Sequence, residues 1–365
     1  MKKSNAKLWV VIALIICLVS SIGASAAQTA GGSITYHDMT FVTQSGHEMD
    51  ALLLVPENAT VENPAPAIVC SHGWYNNREM QDLNYVEYAR RGYVVISISM
   101  YGHGDSEVIA NNTWWDDENN ANGLYDAVKY LAELPFVDAS RIGITGHSNG
   151  ARASREAMLQ DYDGLVAAAL LVSNDSVYYD ENNNFANPFG SRDVGIVACQ
   201  YDEFFHRVTK EDGSKTPPRE YINQVTAQSF LNFGEDPADL EAPLESYTYY
   251  TKEIDGKEAI RVIFNPPITH PWAHFSKHVV AHSMEFFDKA LDAPVKLDNN
   301  DQIWQWKAFF NGLGLVGFFM FLIYCAIALT ETPFFAELAA TEEVKPLPAP
   351  AGRARPGTGA VLWPA

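Results

Sequence analysis

The stretch RIGITGHSNGARASREAML, residues 141–159, constrains the fold of this chain more than any other. A β-branched run enters Gly146-His147-Ser148-Asn149-Gly150, and a helix-forming run leaves it. A strand that turns into a helix within five residues needs glycines, because side chains beside so tight a bend would clash. Such a turn places Ser148 at the carboxyl end of a strand and the amino end of a helix, where the helix dipole favours negative charge.

The rest of the region between Ala30 and about Ala293 agrees with this reading. Short apolar runs at 65–71, 93–99, 141–146, 166–172 and 194–199 alternate with helical patterns at 83–91, 123–134, 151–160 and 279–291. Runs apolar throughout are strands covered on both faces, and strand-helix alternation implies a mostly parallel central sheet with helices on its sides. This is an α/β fold class. Residues 33–57 read as an antiparallel meander turning at Ser45-Gly46, and 246–265 as a hairpin across Asp255-Gly256. The Asn- and acid-rich stretches 116–122 and 180–188 read as solvated loops and do not fit the spaced EF-hand pattern.

Two segments lie outside this domain. Residues 1–27 begin with Lys2, Lys3 and Lys7, continue with an apolar run from Leu8 to Val19, and reach Ala24-Ser25-Ala26. They read first as a cleaved signal peptide and second as a retained membrane anchor. Ala308 to Thr330 carries no charged residue, which is the pattern of a transmembrane helix. Trp304, Trp306 and Lys307 stand where an interfacial belt would be. The expected domains are therefore 1–27 as signal or anchor, 30–293 as the catalytic body, 304–330 as a membrane helix with its flank, and 331–365 as a disordered Pro- and Ala-rich tail. Lys345, Arg353 and Arg355 in the tail agree with an inside position, leaving the body extracytoplasmic and tied to a lipid bilayer. A net charge of −20 repels phosphate backbones, so nucleic acid is not an expected partner. Cys17 and Cys325 fall in the apolar segments and Cys70 and Cys199 in β-like runs, which is no disulfide framework.

Ser148 needs partners. One oxyanion donor is expected from the Asn149 amide, and a second from the loop after an earlier strand, where His72-Gly73-Trp74 offers the Trp74 amide. An acid is expected at Asp202, just after an apolar strand, with Asp175 in reserve and Glu203 its neighbour. The base must follow the last strand. THPWAHFSKHVVAHS places His270, His274, His278 and His282 four residues apart. His270 precedes Pro271 and so lies outside a helix interior, His274 stands just before the closing helix, and the other two lie within it. His274 is the first choice as base and His270 the second. His278 and His282 could chelate zinc as an i,i+4 pair, but Val279 stands where an HExxH helix would carry its Glu, and packing is the better account. Trp74, Tyr75, Trp114, Trp115, Tyr178 and Tyr179 could form an apolar platform at the mouth.

Together, the strand followed by His72-Gly73-Trp74, the GHSNG around Ser148, Asp202 and His274 resemble the α/β-hydrolase superfamily, in particular its dienelactone-hydrolase-like and esterase branch. The stretch VDASRIGITGHSNGARA carries the strongest likeness, which spans about residues 34–292. The loop after Gly73 lacks the further glycines of the lipase-type pattern, and no large lid insertion precedes Asp202. The resemblance implies a serine hydrolase of small-molecule esters that needs no cofactor or metal. Ser148 would be the nucleophile, His274 the base and Asp202 the residue that orients it. A serine peptidase on the same fold, or a non-catalytic membrane-anchored binding protein, are the alternatives.

Overall fold

The computed structural model describes residues 5–109, 121–176, 179–180, 182 and 184–338. Lys2, Lys3, Trp114, Trp115, Tyr178, most of the 116–122 loop and the tail from 339, with its three cations, lie outside the described residues.

The body, residues 21–311, is built on one sheet. Its strands are β1 (Ile34–Val42), β2 (Glu48–Pro56), β3 (Ala65–Ser71), β4 (Val94–Ile98), β5 (Val137–His147), β6 (Val166–Val172), β7 (Asp193–Val197), β8 (Tyr250–Ile254) and β9 (Lys257–Phe264). They lie side by side in the order β1-β2-β4-β3-β5-β6-β7-β9-β8. The stretch β4-β3-β5-β6-β7-β9 is parallel. The β1–β2 and β2–β4 pairs and the β8–β9 hairpin are antiparallel. Every residue of β3 and β4 is buried, as expected of parallel strands covered on both faces.

Helices close both sides. One core joins the sheet to α3 (Leu124–Ala132), α4 (Asn149–Gln160) and α5 (Val225–Leu231). A second joins the other face to α2 (Asp82–Arg90) and α6 (Lys277–Leu291). The mostly parallel sheet expected from the alternation is therefore present, and so are the meander and the hairpin. β5 starts earlier than its apolar run, because Val137 already pairs with Ala65 before a register shift. The short helix α5 carries too weak a period to stand out in the sequence.

The other unit, residues 1–20 and 312–365, contains the outer parts of α1 (Ala6–Gln28) and α7 (Trp304–Thr330). Within it the two helices lie antiparallel. Trp9 stacks on Tyr324 at 5.5 Å, while Cys17 Sγ approaches the Gly314 carbonyl at 3.8 Å. A Cβ on Gly317 would stand 2.8 Å from Ile16 Cγ2 and 2.9 Å from Cys17 Sγ, so only glycine permits this approach. The outer surfaces remain apolar: Leu14, Ile15 and Leu18 on one helix, and Phe318, Phe319 and Ile323 on the other, are all exposed.

Candidate active site

Ser148 sits where β5 ends and α4 begins, with φ 59° and ψ −113°. A non-glycine residue in this region is strained, and the neighbours hold it there. Its amide donates to the Val172 carbonyl at 2.8 Å, and its carbonyl accepts from Arg152 N at 3.0 Å. The two motif glycines make the turn possible. A Cβ on Gly150 would lie 2.5 Å from the Ser71 carbonyl oxygen and 2.7 Å from that of His72. One on Gly146 would collide with Ser71 Oγ and the Gly150 backbone.

Asn149 opens α4, so its amide has no intrahelical acceptor. Trp74 follows Gly73, whose missing Cβ would be 3.4 Å from Ser148 Cβ. The loop carrying Trp74 is fixed by His72, which sequence reasoning treated only as part of a His-Gly pair. His72 Nδ1 donates to the Gly73 carbonyl at 2.7 Å, and Nε2 accepts from the Met100 amide at 3.0 Å. Burial pushes this imidazole down to about 4, so it stays neutral and keeps both bonds. The neighbouring Tyr75 is held at φ 59° with its ring almost fully exposed and stacked on Trp74.

Asp202 follows β7 and is fully buried. Its Oδ2 lies 2.8 Å from His270 Nδ1, and Oδ1 accepts from the Phe204 and Phe205 amides. Burial alone would raise this carboxyl. The hydrogen bonds from His270 and the two amides win and hold it below the usual carboxylate range.

The expected pairing of Asp202 with His274 is not the one formed. A parallel bridge between Tyr201 and Thr269 brings residue 202 beside residue 270. His274 lies on the far side of a 3-10 turn, Pro271–Phe275, and its ring contacts the Met80 backbone instead. Glu203 accepts from the His270 amide at 3.0 Å, and Asp175 stands 3.2 Å from His206 Nδ1. The two spare acids are thus engaged elsewhere. His278 is exposed and His282 stacks on Phe264, and no group of three metal-ligating side chains occurs among the described residues. Cys70 and Cys199 are buried free thiols.

Ser148, His270, His274, His147, Asn149, Gly73 and Trp74 all line one cavity of about 610 Å³. Tyr75, Phe204, Phe205 and Phe275 supply aromatic walls, and Arg152 is the one Lys, Arg, Asp or Glu side chain among the described lining residues. Of the aromatic platform expected at the mouth, Trp74 and Tyr75 are there. Tyr179 is exposed but does not line this cavity.

Residues 45–207 match the family model of the X-Pro dipeptidyl-peptidase (S15 family). Among solved structures, the chain is similar to an esterase of Pyrococcus furiosus at 14% identity, covering 72% of this chain and 96% of that one with a TM-score of 0.47. It is also similar to an alpha/beta hydrolase of Penicillium sp. sh18 at 14% identity, covering 70% and 99% with a TM-score of 0.46. A glucuronoyl esterase of Solibacter usitatus is similar at 13% identity, covering 72% and 83% with a TM-score of 0.44. No curated protein sequence matches.

Proposed function

We propose that this chain, which has the α/β-hydrolase fold and matches the X-Pro dipeptidyl-peptidase (S15 family) model over residues 45–207, hydrolyses esters of small molecules through Ser148, His270 and Asp202. The observation that carries the reading is the 2.8 Å bond between His270 and the buried Asp202, on the wall of the cavity that also holds the strained Ser148. Ser148 Oγ attacks the ester carbonyl carbon while His270 Nε2 takes its proton. The Asn149 and Trp74 amides receive the oxyanion. His270 then returns the proton to the leaving alcohol as the C–O bond breaks. Water, deprotonated by the same imidazole, attacks the acyl-enzyme and releases the acid. Asp202 holds the ring in one tautomer and stabilises its charged form.

A dipeptidyl peptidase takes substrates with a free amino terminus, and an ammonium calls for a carboxylate in the pocket. Arg152 is the charged side chain among the described lining residues, and the Glu203 carboxylate already accepts from the His270 amide. The pocket chemistry therefore favours esters. We expect p-nitrophenyl butyrate to be cleaved at least about a hundredfold faster, in kcat/KM, than Ala-Pro-p-nitroanilide, with EDTA without effect. The opposite ratio would establish the peptidase. A folded chain without Ser148-dependent turnover of either compound would favour the binding-protein reading over both.

We further propose that α1 and α7 are retained together as a membrane anchor, with the body outside the cytoplasm. Their mutual packing at Gly314 and Gly317, and the apolar surface they leave exposed, support this over removal of residues 1–27. Amino-terminal sequencing of the mature chain should find residues 1–27 still present. A mature chain that starts near Ala27 would refute the paired anchor.

A further inference from the structure

Two buried imidazole nitrogens in the cavity wall have no partner. His147 and His274 are each 5% exposed, both line the cavity, and their ring centroids are 3.9 Å apart. His147 Nε2 lies 3.0 Å from the His270 carbonyl oxygen, so this nitrogen carries the hydrogen and donates it. A neutral imidazole has one donor and one acceptor. His147 Nδ1 is therefore a bare acceptor, and nothing meets it. His274 Nε2 is likewise unmet, and with the ring hydrogen on Nδ1 it is a second bare acceptor. Burial, reinforced by the neighbouring histidines, pushes His147 well below the ordinary range and His274 down to about 4, so both rings remain neutral acceptors near pH 7.

Buried polar atoms in native proteins nearly always have a hydrogen-bond partner. Both nitrogens belong to cavity-lining rings but are closed to solvent as the rings stand, so a donor that arrives with the substrate would reach them through a small shift of the cavity wall. A metal ion would need a third ligand, and no group of three exists among the described residues. An ammonium would meet Arg152 in the same cavity. A hydroxyl is neutral and donates. We propose that His147 and His274 form an acceptor subsite for a hydroxyl group of the substrate, so that the ester taken is that of a hydroxylated acid or of a polyol. This rests on the reading of Ser148 as the nucleophile of an esterase.

The test compares two matched pairs on the full chain in detergent. p-Nitrophenyl 3-hydroxybutyrate against p-nitrophenyl butyrate probes a hydroxyl on the acyl side. Glyceryl monobutyrate against propyl butyrate probes the alcohol side. The parent should prefer the hydroxylated member of at least one pair by about tenfold in kcat/KM, the worth of one hydrogen bond to a buried acceptor. His274→Phe should bring that ratio close to one, and His274→Gln, whose amide oxygen accepts, should keep part of it. A parent that hydrolyses all four esters with both ratios near one overturns the subsite without any variant being needed. So does a folded Phe variant that keeps the preference. A parent that hydrolyses none of the four overturns the esterase reading itself, and the two failures are thus distinct.

Discussion

Ser148→Ala and His270→Ala should each lower kcat for p-nitrophenyl butyrate by about 10⁴-fold or more, and the double variant should be little worse than either alone. The serine supplies the only bond to the acyl group, and without a base its hydroxyl keeps its proton. Each loss therefore removes the same covalent route. Asp202→Asn should fall by about 10⁴-fold, because an amide can no longer hold the His270 Nδ1 hydrogen as a carboxylate does. KM should move much less than kcat. The four-residue repeat of histidines makes the comparison with His274 decisive. Should His274→Ala be the dead variant while His270→Ala turns over, the base is His274 and the assignment made from the Asp202 contact is wrong.

Arg261→Met should destabilise the fold by about 3–5 kcal/mol, read as the shift in a denaturant-unfolding midpoint at constant slope. Arg261 is fully buried on β9, an unusual place for a guanidinium. Its Nη1 donates to the Arg192 carbonyl at 2.6 Å and to that of Ile260 at 2.8 Å. Nη2 donates to Asn187 Oδ1 at 2.9 Å and to the Gly190 carbonyl at 3.1 Å. The Phe233 ring covers it at 4.9 Å, with Phe189 and Phe230 at 5.8 Å. Burial lowers its proton affinity, and Asp193 offsets this only in part. Methionine matches the stem but takes this donor from Asn187 Oδ1 and the Arg192 carbonyl, in the segment that leads into β7. It also strips the nearby cation from Asp193, whose carboxyl burial already pushes up to about 6. A loss below about 1 kcal/mol would mean that water reaches these carbonyls and that the cluster does not clamp β7 to β9.

Much of the body was legible because its signals are local. The apolar runs of β3 to β7 need only their own composition to be recognised, and the turn at Ser148 needs only five residues and its flanks. The loop after β3 stood out because Gly73 follows an apolar strand one strand-helix-strand unit upstream of the turn at Ser148. Choosing among His270 and His274 required information that the segment itself does not hold. Both follow the last strand, and both stand beside aromatic residues. What separates them is the bridge from Tyr201 to Thr269, a pairing across the sheet that no local pattern records. The contact of His274 with Met80 is hidden for the same reason, since it joins segments far apart in the chain. Arg261 was passed over because a lone arginine in a hairpin sequence reads as a solvent-facing residue, and only the three surrounding phenylalanines reveal otherwise.

The wide sequence spacing of Ser148, Asp202 and His270 has a consequence for how the protein matures. These side chains stand at the ends of β5, β7 and β9, and β9 is the last strand of the sheet in chain order. The nucleophile's turn can form as soon as its own strand and helix have condensed. The proposed base, His270, has no place until the 67 residues between it and Asp202 have folded back across the sheet. Contacts of such separation close late, after the local elements are made. A chain emerging amino end first, from a ribosome or through a membrane, would thus carry Ser148 on its formed turn before the proposed base has its place. On the proposed assignment, hydrolysis would begin only when the final strand docks, so its onset would mark the completed body.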